Sequence, residues 1–188
     1  MRFSFDKIPD LSGKIAIVTG GNTGIEIITA RELARKNAHV FVASRSRDRG
    51  ESALQSLNSV KHAAEIFLAR KLPLHILVNN AGIMATPFAT TIDGIQDQFG
   101  TNHIGHFVFT LLLLPTIKAS APSRIVSVSG RAHERAPPAG IEFEKLNDPE
   151  AHTPFQRYGQ SKLANILFTL ELNKRLSGTN IYCNCLHP

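Results

Sequence analysis

The sequence predicts an α/β fold: a doubly wound parallel sheet between helices, in three α/β/α layers. Three observations predict it. Short apolar runs of strand character alternate along the chain with stretches whose apolar residues recur at helical spacing. The first strand-like run, Ile15-Ala16-Ile17-Val18, feeds a glycine-rich turn, Gly20-Gly21-Asn22-Thr23-Gly24, that opens directly into a helical pattern. At 188 residues and 43% hydrophobic content, the chain suits one domain, 1–188, with a sizeable core.

The elements follow in order. The pattern predicts a first strand over 14–19 and a helix over 24–36, with Asn37 at its end, where a left-handed residue is usual and asparagine is the second choice after glycine. A second strand over 39–43 ends in Ser44-Arg45. From Arg45 to Pro73 only helical pattern is found, in two pieces around Leu57-Asn58-Ser59, and no third strand. A strand over 73–79 leads into Asn79-Asn80-Ala81-Gly82, and a long helical pattern over 92–118 carries Asn102. A strand over 124–129 follows. The segment 131–154, with Pro137, Pro138, Pro149 and Pro154, reads as a long irregular loop of the kind that closes over sites. The last helix, 155–176, carries Tyr158 and Lys162; Ser177-Gly178-Thr179 stops it, and a strand over 181–186 ends the series.

Composition narrows the function classes. Charged residues make up 19% of the chain, which places it among folded proteins. The start of the sequence has no apolar core of a signal peptide, and the longest apolar stretch, 107–115, is too short to span a bilayer, so a cytoplasmic location is expected. Cys183 and Cys185, two apart on a strand, share one face and read as buried thiols. His103 and His106 lie three apart on a helical pattern without a third ligand at useful spacing, so no metal site is expected. The net charge of +6 is scattered apart from Arg45, Arg47 and Arg49, which suits a small anionic ligand better than a nucleic acid.

Two motifs carry chemistry. A strand, a glycine turn and a helix start hold phosphate, because the backbone comes close and free N–H groups point at the charge. The spacing here is G-x-x-x-G, and an ordinary strand-to-helix turn is the plain alternative. In a nucleotide-binding sheet an arginine at the end of strand two accommodates a 2′-phosphate, so Arg45 favours NADP over NAD. Tyr158 and Lys162 lie one turn apart on one helix face. A neighbouring cation lowers a phenol from its usual ~10 toward a useful range. Taken alone, the pair also reads as surface residues on a helix.

Together, the glycine turn, Asn79-Asn80-Ala81-Gly82, Asn102 and Tyr158-x-x-x-Lys162 resemble the short-chain dehydrogenase/reductase family in order and interval. The runs Thr101-Asn102-His103-Ile104-Gly105-His106-Phe107 and Ser161-Lys162-Leu163-Ala164-Asn165-Ile166-Leu167-Phe168 resemble its retinol-dehydrogenase-like branch. The resemblance implies a Rossmann-like fold and hydride transfer between NADP(H) and a small lipophilic carbonyl or alcohol. It implies that Tyr158 is the general acid/base, that Lys162 lowers its pKa and holds the nicotinamide ribose, and that Asn102 supports a water-mediated relay. The cofactor would be held by Gly20, Asn22, Thr23, Gly24, Ile25, Ser44, Arg45, Asn80, Ala81, Gly82, Tyr158 and Lys162.

The sequence departs from that family at four places. Glu26 stands where the family carries a third glycine, and adds bulk and negative charge near the pyrophosphate. Gly130 stands where a serine normally holds the reacting oxygen; Ser129 is next door but belongs to the opposite strand face. The stretch 47–70 splices one helix start onto the next, so that the third strand is lost and the strand order becomes 2-1-4-5-6 in family terms, with strand two at an edge. The sequence stops at Pro188, where the family continues with a further helix and strand, so an apolar surface is expected to be exposed or recruited into oligomer contacts. These departures support an alternative: a catalytically impaired nucleotide-binding or dimerisation module using the helices 92–118 and 155–176. A basic nucleic-acid binder is a third reading, supported only by diffuse charge.

Overall fold

A computed structural model of the chain describes residues 4–20, 24–44 and 56–188. Its five strands are β1 (Ile15–Thr19), β2 (His39–Ala43), β3 (Ile76–Asn79), β4 (Ser123–Val128) and β5 (Ile181–Leu186). They form one sheet of order β2-β1-β3-β4-β5 in which every pairing is parallel. The register aligns Ile17 with Phe41 and Leu77, Leu77 with Ile125, and Ile125 with Cys183, so one apolar row crosses the sheet. This is the expected order, and among the described residues no strand lies between β2 and β3.

The helices among the described residues are α1 (Ile25–Arg35), α2 (Leu57–Leu68), a short α3 (Asp97–Phe99), α4 (Gly105–Ala119) and α5 (Pro154–Arg175). Ala64 and Phe67 of α2, Phe109, Leu113 and Ile117 of α4 and Leu172 of α5 pack with Ile15, Ile17, Leu77, Ile125 and Ile181 in one core. Burying a leucine such as Leu113 completely contributes about 1.5–3 kcal/mol. The crossover from β1 to β2 runs in the opposite direction to the later ones, so the right-handed rule puts α1 on the other face. That face is thinly covered at β4 and β5. Tyr182 is 49% and Leu186 43% exposed, and the Arg124 guanidinium lies over the Tyr182 ring at 5.0 Å. Parallel sheets are normally covered on both faces.

Local chemistry sets the boundaries. Asn37 takes φ +70° just after α1, as its type suggests. The start of α5 is fixed by a capping box between Thr153 and Gln156, with Pro154 in the first turn. The long helix expected over 92–118 is corrected at its beginning. Residues 92–96 form a turn around Gly94 (φ +73°), Thr90 bridges Gln96, and helix begins at Asp97 with the Gln96 side chain accepting from the Phe99 N–H. Between α3 and α4, Gly100–Ile104 widens into a π-helical turn. The segment 131–154 holds two short 3₁₀ turns, Arg131–Arg135 and Phe143–Lys145. No helix among the described residues is long and apolar enough to cross a membrane.

Gly159 on α5 is required by packing. A Cβ there would lie 2.7 Å from both the Ala132 oxygen and the Ala136 nitrogen, so the turn Arg131–Arg135 can rest on the helix only because the side chain is missing. Gly159→Ala should therefore lower stability in urea unfolding by ~1–3 kcal/mol despite alanine's better helix propensity. An unchanged or higher midpoint would contradict this account of the contact.

Candidate active site

The site is assembled where β1, β3 and β4 end. After β1, Gly20 (φ +136°) and Gly24 (φ +72°) take backbone conformations that glycine alone adopts readily, and the Gly20 N–H donates to the Ala43 oxygen at 2.9 Å, tying the turn to the end of β2. Ile25 and Ser44 are exposed beside it. Asn22, Thr23 and Arg45, expected to hold the cofactor, lie outside the described residues.

The loop after β3 is organised by Thr19, which the sequence pattern did not single out. Its hydroxyl accepts from the N–H groups of Asn80 (3.0 Å) and Ala81 (3.2 Å) and meets His106 Nε2 at 2.9 Å. His106 Nδ1 lies 3.0 Å from the Asn102 carbonyl, which can only accept, so Nδ1 carries the proton. Burial pushes His106 down to about 4, so the ring is neutral and Nε2 accepts the Thr19 proton. The histidine that spacing placed on a helix is thus a core strut under the loop.

Asn102 sits in the π-helical turn and is wholly buried. Its side chain accepts from the Ile83 N–H and donates to the Ile83 oxygen, both at 2.9 Å, and also donates to Ser161 Oγ at 2.9 Å. A Cβ on Gly82 would come 3.2 Å from Asn102 Oδ1, so glycine at 82 leaves room for this clamp. The Asn102 carbonyl also accepts from Asn165 Nδ2 at 3.0 Å. That amide reaches the Val128 oxygen (3.2 Å), which in turn accepts from Lys162 Nζ (3.0 Å). Asn102 and Lys162 are therefore joined through Asn165, a residue singled out only as part of a resemblance.

Lys162 is 3% exposed, and burial pushes it down to about 8, opposed by the nearby Cys185 thiol. Its Nζ lies 5.4 Å from the centre of the Tyr158 ring. Burial raises the Tyr158 phenol, because desolvation disfavours the phenolate. Ser129 points into the helix side, where its Oγ donates to the Lys162 carbonyl at 2.7 Å and fixes that turn of α5. Gly130 is extended (φ 172°), and a Cβ on it would meet only His187 Nδ1 (3.7 Å) and the Ala132 nitrogen (3.9 Å), so a serine would fit. Cys183 is buried and Cys185 partly so. Both face a cavity of about 440 Å³ between α5 and β5, together with Gly130, Ile166, Leu170 and His187.

The loop is held to α5 by buried polar groups. Arg157 donates to the carbonyls of Pro149 (3.2 Å) and His152, with its guanidinium over Phe88. Glu142 accepts from Lys145 (2.7 Å) and pairs with His152 (2.8 Å), contacts that hold its carboxyl below the usual range. Its N–H donates to Gln160 Oε1 at 2.9 Å.

A dinucleotide can be tested against these groups. Lys162 Nζ has three donors and uses one on Val128, leaving two for ribose hydroxyls, and the Asn80–Gly82 loop presents open backbone; that end fits. At the phosphate end the glycine cradle is met by the side chain of Glu26, whose Cγ would lie 2.5 Å from a Cβ on Gly20. The middle of that turn, residues 21–23, lies outside the described residues.

The Lys162 shift has a measurable consequence. The unfolded lysine titrates near ~10.4, so from about 8 upward to that value the unfolded chain binds more protons and stability rises with pH. Cys183, pushed up to about 11 by burial, acts in the opposite direction, so the comparison needs a variant that keeps it. Denaturation of the wild type and Lys162→Met near pH ~8 and ~10 should show the wild type gaining on the variant at the higher pH. A constant difference would contradict a buried, charged Lys162.

Known proteins resemble this chain in sequence and in fold. The profile described as short chain dehydrogenase matches residues 14–142. Retinol dehydrogenase 12 of Mus musculus is 43% identical over 197 aligned residues, covering 95% of this chain and 61% of that protein. The alignment is longer than the 188 residues here, so the relative has residues inside the matched span without counterpart in this chain. The chain spans about 61% of that relative's length. A crystal structure of an uncharacterized protein from Mycobacterium paratuberculosis superposes with TM-score 0.86 at 38% identity, covering 100% of this chain and 72% of that one. The RhlG/NADP active-site complex of Pseudomonas aeruginosa gives TM-score 0.71 at 26% identity, covering 100% and 75%. With its parallel Rossmann-like sheet and its matched span, this chain belongs to the short-chain dehydrogenase family.

Proposed function

We propose that the chain is a single NADP(H)-binding domain and an oxidoreductase acting between a lipophilic alcohol and its carbonyl, with Tyr158 as general acid/base. The observation that carries this reading is the buried Lys162 beside Tyr158, wired through Val128 and Asn165 to Asn102. When bound, the nicotinamide supplies or accepts the hydride. Tyr158 gives its phenolic proton to the forming alkoxide in reduction and takes one from the alcohol in oxidation. Burial keeps Tyr158 in its neutral, proton-bearing form in the free protein. Lys162, still largely protonated at neutral pH, holds ribose hydroxyls and draws the phenolate charge. Asn102 and Asn165 fix the lysine turn.

Support for NADP comes from Arg45 at the end of strand two and from the RhlG/NADP complex. Support for a lipophilic substrate comes from the retinol dehydrogenase name of the mouse relative and the mainly apolar wall of the cavity by Gly130. The half-exposed Phe107 and Leu111 on α4 and Leu167 and Leu170 on α5 suit a homodimer through these helices, with 92–96 excluded from the face. Two free thiols suit the cytoplasm, a reducing compartment. The second reading, a catalytically impaired nucleotide-binding or dimerisation module, is favoured by Glu26 at the turn and by the missing side chain at Gly130.

Tyr158→Phe tests the assignment. It should abolish NADPH-dependent reduction of lipophilic aldehydes while leaving the dissociation constant for NADPH within about twofold, because the lost hydroxyl acts on the reacting oxygen. Equal turnover in the variant would remove Tyr158 from the reaction and favour the module reading.

A further inference from the structure

Asn165 is 2% exposed and stands one turn beyond Lys162 on α5. Its amide faces two groups that can only accept: Nδ2 donates to the Asn102 carbonyl at 3.0 Å and to the Val128 carbonyl at 3.2 Å. Those contacts fix which way round the amide lies. Oδ1 therefore faces His103, whose Nδ1 is 3.1 Å away and must carry a proton. Both N–H bonds of the amide are used, and so is the Asn102 carbonyl. A carbonyl oxygen has two lone pairs, and the second takes the His106 Nδ1 proton at 3.0 Å. Lys162 Nζ donates to the same Val128 oxygen at 3.0 Å. A water joining Lys162 to the Asn102 carbonyl would need a lone pair that two side chains already fill.

We propose that Asn165 is a positioning residue for Lys162: its amide stands in for a relay water, bridging the Asn102 carbonyl to the carbonyl that anchors the lysine, and closes the space behind the ammonium to solvent. The proposal rests on the reading of Tyr158 and Lys162 as the acid–base pair, and changes within it the part that the family resemblance gives Asn102. Asn102 locks the loop at Ile83 and supports Asn165, and it passes no proton. An amide does not exchange as a water does, so the lysine keeps its anchor with two N–H bonds to spare. The titratable groups that face Lys162 are Tyr158 on α5 itself, His106 from α4 and Cys185 from β5, with His103 beyond Asn165. Burial raises the phenol and the thiol and lowers both histidines, so none of these four meets the ammonium as an anion at neutral pH. Burial is what pushes Lys162 down to about 8, and Asn165 maintains that burial on the inner side.

Asn165→Ala removes both donors and leaves room for a water; Asn165→Ser keeps one donor and leaves less room. In NMR titration of the whole, ligand-free chain with 13Cε-labelled lysine, the signal lost in Lys162→Met should titrate ~1 pH unit higher in both Asn165 variants than in the wild type. A crystal structure of the wild type should show no water on the Asn102 carbonyl, and one of Asn165→Ala should show a water within hydrogen-bond distance of both carbonyls. An unchanged titration in the folded variants, or a water on the wild-type Asn102 carbonyl, would overturn the role of Asn165; if neither variant folds, the wild-type structure decides. These readouts need no nucleotide. NADPH-dependent aldehyde reduction by the same proteins tests the reading beneath: the expected titrations together with turnover support both, and the expected titrations without turnover in any of the proteins would keep Asn165 as the anchor of Lys162 and overturn the acid–base reading.

Discussion

The arrangement of this site depends on one buried amide. Asn102 has no exposure to solvent, and all the hydrogen-bonding capacity that its side chain uses is directed at Ile83 and Ser161. Its carbonyl is held by Asn165 and His106, which the wider π turn allows to approach. Buried polar groups are costly unless paired, so the network is stable only in the register that pairs them all. That register places the end of β3, the start of α4 and the middle of α5 against each other. Lys162 and Tyr158 are where they are because Asn102, Ser129 and Asn165 leave α5 no freedom to slide or turn.

The two ends of the site are held in opposite senses. At the acid–base end, burial makes both charged forms unfavourable, lowering Lys162 and raising Tyr158. The pair is thus a neutral phenol beside a lysine with donors to spare. At the glycine turn the chain places a carboxylate, Glu26, whose Cγ is 2.5 Å from where a Cβ on Gly20 would lie. Under the proposed reaction Gly130 would be a second deficit: developing charge on a substrate oxygen would lack the hydroxyl that a serine at this position would offer, and loss of such a donor typically costs ~10²–10³ in rate.

Much of the fold is legible from short-range pattern. Alternation of strand and helix periodicity locates all five strands, and the change in crossover direction after β2 follows from the family's order with one strand lost. Asn37 marks the end of α1 because its side chain tolerates the left-handed region. The misplaced start of the helix after residue 92 has a local cause. Apolar spacing continues through Ile92 and Ile95, but Gly94 turns the chain there, and no periodicity reveals it. The π turn, the Thr19–His106 strut and the need for glycine at 159 arise from contacts between residues distant in sequence, so no local signal reports them. The direction of the Tyr158 shift was hidden for the same reason. The i, i+4 spacing brings a cation near, but the burial that raises the phenol belongs to the assembled fold.

The central claim is that this chain moves a hydride between a nicotinamide and a carbonyl carbon. The most direct measurement is to incubate the purified 188-residue chain with NADPH deuterated at C4 of the nicotinamide and a panel of lipophilic aldehydes, then analyse the alcohols by mass spectrometry. The account predicts deuterium on the carbinol carbon of at least one product. Folded protein that binds the nucleotide and leaves every alcohol unlabelled, or forms none, would contradict it.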